Sequence, residues 1–133
     1  MPSIILKRLK NNCKVLSFEI NKKFLKDLKR IKDRRLILIE DKAENLSKYL
    51  ISYAVKNTDY IISSLPLASS RNLEYQIIKT AHENLKENGK YIQYQYAHNM
   101  LKSLGKLKKI FKYVEVKFVP LNIPPAFVYI CKK

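Results

Sequence analysis

Four short stretches of this 133-residue chain carry side chains able to do chemistry. Glu19 follows Val15-Leu16-Ser17-Phe18, and Asp41 follows Leu36-Ile37-Leu38-Ile39-Glu40. Ser63-Ser64-Leu65-Pro66 ends the run that begins at Asp59-Tyr60, and Gln93-Tyr94-Gln95-Tyr96 ends a fourth. Each follows or closes an apolar run of the kind that forms a buried parallel strand. Ligands of open α/β sheets gather outside the carboxyl ends of the strands, so these positions are where a binding site is expected. A carboxylate such as Glu19 can accept both hydroxyls of a ribose there. It can also be an ordinary acidic strand end. Asp41 is equally suited to cap the next helix, because Glu44 three residues on completes a capping box. Ser64-Leu65-Pro66 also reads as turn chemistry, and the alternating tyrosines Tyr94 and Tyr96 as strand packing.

The elements that must position these residues alternate from end to end, which is the pattern of an α/β sheet. Residues 3–10 read as the last turns of a helix and 14–20 as a first strand. Asn21 can cap a helix to about Ile31, with Phe24, Leu25, Leu28 and Ile31 at spacings of three and four. Residues 35–40 form a second strand, followed by a helix carrying Leu46, Tyr49, Leu50 and Tyr53. A third strand spans 60–65, and a helix over 72–86 ends near Asn88-Gly89. A fourth strand spans 90–96, and a basic helix 98–111. The last strands, 113–121 and 126–131, are joined through Pro124-Pro125 with no room for a crossover helix, so they must pair antiparallel. No repeat or linker marks a second domain, and residues 1–133 read as one domain.

Composition narrows the partners. The formal net charge is +16, from 27 Lys and Arg against 11 Asp and Glu, which points to RNA, DNA or an anionic lipid surface. Residues 1–35 alone hold 12 basic side chains and three acidic ones. Lysine dominates, which suits diffuse attraction to phosphate better than bidentate recognition. A solvated Lys-rich surface without a dedicated partner is the competing reading. The longest aliphatic run, Leu36 to Ile39, is far short of a bilayer span, and the basic residues of the first eight follow the apolar ones, the reverse of a secretory signal. A cytoplasmic protein, peripheral at most to the inner membrane face, is expected. Cys13 and Cys131 have no metal-ligand spacing and read as free thiols; no metal is expected, and His82 and His98 read as surface residues.

Asp59 to Pro66, the acid at Glu19 and the ending Asn122-Ile123-Pro124-Pro125-Ala126-Phe127-Val128-Tyr129 together resemble a class I S-adenosylmethionine-dependent methyltransferase. The similarity is closest to the bacterial phospholipid N-methyltransferases and extends to the ribosomal RNA adenine dimethyltransferases. It implies a Rossmann-like, mostly parallel sheet closed by a C-terminal antiparallel hairpin. It also implies S-adenosyl-L-methionine as cofactor, with Glu19 and the adjacent Ile20 at its ribose and the segment Asp41, Lys42, Ala43 near its adenine. Asp41 stands one place earlier than the family's acid, and Lys42 occupies that position. Ser63, Ser64, Leu65 and Pro66 nearly reproduce the family's Ser-Gly-Leu-Pro segment, with Ser64 in place of its glycine, a Pro-stiffened loop whose carbonyls and small polar side chain orient the attacking amine. Tyr94 and Tyr96 would then line the substrate entrance, and the three side chains Glu19, Asp41 and Ser64 would meet around one nucleoside.

The family's glycine-rich loop is missing, since the chain has only Gly89 and Gly105 and neither follows an early strand. The resemblance therefore implies an N-terminally truncated domain without its first strand. Three explanations fit: translation from an internal methionine of a longer protein, a decayed fragment, or a shortened domain whose exposed strand edges are covered by an upstream segment or partner chain. The implied activity is methyl transfer to an amine of a phospholipid head group such as phosphatidylethanolamine. RNA adenine N6-methylation is the enzyme alternative, and a noncatalytic basic binding module is the alternative of another class. Whether this chain is an enzyme by itself stays open.

Overall fold

The computed structural model describes residues 2–65, 71–96 and 100–133, with the side chains of Arg71, Met100, Leu101 and Lys102 left aside. They divide into two compact units, Met1–Asn45 and Leu46–Lys133.

In the first unit, α1 (Pro2–Leu6) leads to β1 (Val15–Phe18), α2 (Lys22–Leu28) and β2 (Leu36–Ile39). The strands pair in parallel, with Phe18 opposite Ile39. As expected, the Asn21 side chain caps α2 by accepting the Lys23 N–H. The helix ends at Leu28 rather than Ile31, and of its apolar stripe only Leu25 is buried while Phe24 is 54 % exposed. Helix α1 is one short piece of the expected 3–10 segment because Lys7 and Arg8 already turn. Its carbonyl end is held by Arg35, whose guanidinium donates to the carbonyls of Leu6 (2.9 Å) and Leu9 (2.8 Å). The same guanidinium grips Asp33 through two bonds and holds that carboxyl down at about 2. A 3-10 turn, Ala43–Asn45, closes the unit.

The second unit comprises α3 (Leu46–Ser52), β3 (Thr58–Ser63), α4 (Arg71–Asn84), β4 (Leu85–Tyr96), α5 (Met100–Ile110), β5 (Tyr113–Val119) and β6 (Ala126–Lys132). Its strand order is β3-β4-β6-β5. β3 and β4 run parallel, whereas β6 is antiparallel to both β4 and β5. The α/β expectation with an antiparallel C-terminal hairpin is thus borne out. The core lies between the sheet and α4 and α5, around Ile78, Leu85, Tyr91, Leu107, Phe111, Tyr129 and Cys131. Tyr91 stacks flat on Phe111, with centroids 5.6 Å apart. His82 meets Phe111 edge-on at 5.2 Å and is half-buried, not the surface residue expected; burial lowers its pKa. His98 lies outside the described residues.

Helix α4 ends two residues before the expected boundary, and β4 begins at once with Leu85 paired to Thr58. Asn84 makes the break: its amide donates back to the Thr80 carbonyl, and its own carbonyl accepts the Thr58 hydroxyl. Asn88 carries the left-handed conformation (φ 62°) and Gly89 does not. Gly89 serves space instead, because a Cβ there would stand 2.8 Å from the Lys86 carbonyl. Between the helices, Glu74 is 3 % exposed and accepts from Ser103 at 2.7 Å and from Lys106.

Candidate functional site

The parallel register of β1 and β2 delivers Glu19 and Asp41 to the same, carboxyl end of their two-stranded sheet. The Glu19 N–H donates to the Ile39 carbonyl, which fastens the strand end. Its carboxylate, half-buried, accepts the Asn21 N–H through Oε1 at 2.8 Å. A carboxylate offers about four lone-pair sites, so this bond leaves acceptor capacity for ribose hydroxyls. Ile20 is 63 % exposed beside it. Asp41 uses Oδ1 for both the Lys42 N–H (2.7 Å) and the Asn45 side-chain amide (2.8 Å), so it pins the 3-10 turn beginning at Ala43. Lys42 itself is exposed.

In the second unit the register sets Ser63 opposite Gln93 at the carboxyl end of β3. Ser63 is buried, and its hydroxyl receives the Leu65 N–H at 3.4 Å. Ser64 and Leu65 are exposed beyond it, and Pro66 lies outside the described residues. Gln93, marked in the sequence only as the start of a strand-end segment, organises this end. Fully buried, it donates to the Leu65 carbonyl (3.2 Å) and the Tyr94 carbonyl (2.7 Å) and accepts the Tyr91 hydroxyl (2.6 Å). Burial drives the Tyr91 hydroxyl far above its ordinary pKa, against a smaller opposing bond from Ser63. The alternation of Tyr91 and Gln93 on one face of a buried strand was the available signal, since a buried amide usually finds partners; Gln95, next on that face, is buried without one among the described residues.

Tyr94 and Tyr96 stand on the other face of β4, edge-on at 5.6 Å. The Tyr94 hydroxyl accepts the Asn122 amide at 2.7 Å, a contact that no local pattern announces. Burial, and then Tyr96, raises its pKa. Ser63, Ser64, Leu65, Tyr94 and Tyr96 therefore gather at one end of the four-stranded sheet. A shallow depression of about 150 Å³, lined by Asp59, Tyr60 and Lys86 to Gly89, lies at the other end of β3.

The strand order and helix arrangement have solved counterparts. Over 98 % of this chain and 73 % of the other, it superposes on precorrin-6y C5,15-methyltransferase from Geobacter metallireducens with TM-score 0.75 and 20 % identity. The fold is that of the class I methyltransferases. Human methyltransferase-like protein 13, crystallised with SAH (S-adenosylhomocysteine), matches at TM-score 0.76 and 15 % identity, over 98 % of this chain and 65 % of that one. An rRNA methylase from Streptococcus thermophilus matches at 0.68 and 19 %, over 90 % and 73 %. No protein-family model and no curated protein matches the sequence.

S-adenosylmethionine fits these residues in part. Glu19 and Asp41 are half-buried carboxylates at one strand end, and Glu19 keeps the acceptor capacity that an adenosine requires. For the methionine half, which needs close backbone approach, neither glycine offers a cradle: Gly89 is packed against Lys86 and Gly105 sits within α5 with open space around it. Among the described residues no three His, Cys, Asp or Glu are grouped to hold a metal, and no helix is long and apolar enough to cross a membrane.

Proposed function

We propose that this chain is the core of an S-adenosylmethionine-dependent N-methyltransferase acting on a phospholipid head-group amine such as phosphatidylethanolamine. The observation that carries the reading is the strand end Ser63-Ser64-Leu65, held by Gln93 at the carboxyl edge of a methyltransferase sheet and continuing into Pro66. When bound, the cofactor supplies an activated methyl sulfonium, and the chemistry is its own. The protein's task is positioning. Glu19 takes the ribose, with Ile20 against it, and Asp41, Lys42 and Ala43 border the adenine. Gln93 and Ser63 hold the strand end, so the exposed Ser64 hydroxyl and the second lone pair of the Leu65 carbonyl can accept the N–H bonds of the incoming amine and aim its lone pair. Tyr94 and Tyr96 border the entrance.

The charge of +16 supports residence at an anionic leaflet on the cytoplasmic side. Coverage of the β3 edge by a further strand, from an upstream segment or a partner chain, belongs to the same reading. RNA adenine N6-methylation is the second reading, favoured by the same charge and by an rRNA methylase among the structural neighbours. Incubation with methyl-labelled S-adenosylmethionine and either phosphatidylethanolamine vesicles or ribosomal RNA separates them. Label in the lipid, lowered at least about tenfold by Ser64→Val, is the expected result. Label in RNA alone would replace the acceptor, and label in neither would leave a noncatalytic module.

A further inference from the structure

The loop that joins β5 to β6 has no part in the proposed chemistry, and its surface is unusual for this chain. From Phe118 to Cys131 there is no charged side chain, although 29 % of all residues are charged. At its tip Leu121 is 95 % exposed and Ile123 97 % exposed, with Pro124 and Pro125 open beside them and Phe118 56 % exposed at the base. Large aliphatic groups so completely in water are an interaction surface in search of an apolar medium.

The tip is built rather than loose. Phe118 packs against Phe127 with ring centroids 5.0 Å apart. Asn122 donates to the Pro124 carbonyl and to the Tyr94 hydroxyl, both at 2.7 Å, which folds the loop on itself and ties it to the carboxyl end of β4. That is the sheet end where Ser63 to Leu65 emerge. The surrounding unit is cationic: residues 46–133 hold 14 Lys and Arg against five Asp and Glu. Lys117 lies near the tip on β5, and Lys108 and Lys109 are exposed on α5.

An apolar finger on a cationic body matches a bilayer bearing anionic head groups, where charge gives attraction and the finger gives depth. RNA satisfies the charge but offers nothing to Leu121 or Ile123. We propose that the β5–β6 tip inserts into the head-group region of an anionic membrane and seats this unit with its strand-end loop facing the lipid. The proposal shares the anionic leaflet with the proposed function, but its readout is insertion and not methyl transfer, so either can fail without the other.

The chain has no Trp, so a single introduced indole reports cleanly. Ile123→Trp and, as control, Ile51→Trp on α3, where Ile51 is 79 % exposed, place a reporter at the tip and away from it without touching the core. With phosphatidylglycerol/phosphatidylethanolamine vesicles, the tip reporter should shift to the blue and be quenched by brominated acyl chains, and the α3 reporter should not. Leu121→Asp with Ile123→Asp, at unchanged circular dichroism, should lower vesicle partition by about tenfold or more. Failure of the tip reporter to be quenched on sedimenting vesicles, equal quenching of both reporters, no partition at all, or a blue shift of the tip reporter on RNA without lipid would each overturn the proposal.

Discussion

At the scale of single residues, the candidate site depends on a buried amide more than on its hydroxyls. Gln93 satisfies the Tyr91 hydroxyl and the carbonyls of Leu65 and Tyr94 at once. Gln93→Leu keeps the volume but strands these groups, and unpaired buried polar groups cost about 1–3 kcal/mol. Urea denaturation should show that loss, whereas Ser64→Ala, on an exposed position, should leave the midpoint unchanged. Asp33 offers a test by pH. Its bonds from Arg35 lower the folded pKa from 3.8 to about 2, so the ionised carboxylate favours the folded first unit above about pH 4. The contribution fades as pH falls toward about 2. Asp33→Asn should therefore flatten the acid limb of stability in that window, as followed by thermal melts at successive pH values.

Among the elements, strands are legible in the sequence and helix ends are not. The short apolar runs at Leu36–Ile39 and Tyr60–Ile62 mark strands, although Tyr60 and Ile62 stay exposed, and the Pro-Pro hairpin without room for a crossover specifies antiparallel pairing through chain length alone. The apolar spacing overextends helix α4 because Asn84 ends it through tertiary bonds to Thr58 and Ser47, which no local propensity reveals. Phe24 fits the helical period yet stays exposed, since period shows which residues share a face and not what covers it. Strand-end positions are legible in each unit, Glu19 and Asp41 in the first and Ser63 in the second, whereas a pairing of residues far apart in sequence, such as Asn122 with Tyr94, is not. The two glycines separate the same influences. Gly89→Ala should destabilise by about 1–3 kcal/mol, because its Cβ meets the Lys86 backbone at 2.8 Å. Gly105→Ala, in an open position of α5, should stabilise by about 1 kcal/mol through helix propensity. Guanidinium unfolding curves of the two variants decide both signs.

For the whole molecule, the fold and the chemistry stand on different footings. The chain carries a two-stranded sheet in its first unit and a four-stranded sheet in its second, and it spans 65–73 % of the chains it superposes on, while neither of its two glycines offers a cradle for a methionine tail. On the proposed reading, the strand-end acid Glu19 takes the adenosine half of the cofactor. Isothermal titration of the folded 133-residue chain with S-adenosylhomocysteine tests it most directly. Saturable binding that weakens about tenfold or more in Glu19→Ala, as loss of a charged hydrogen-bond acceptor requires, is the predicted result. Absence of binding to the folded chain, or binding indifferent to Glu19, would contradict the account.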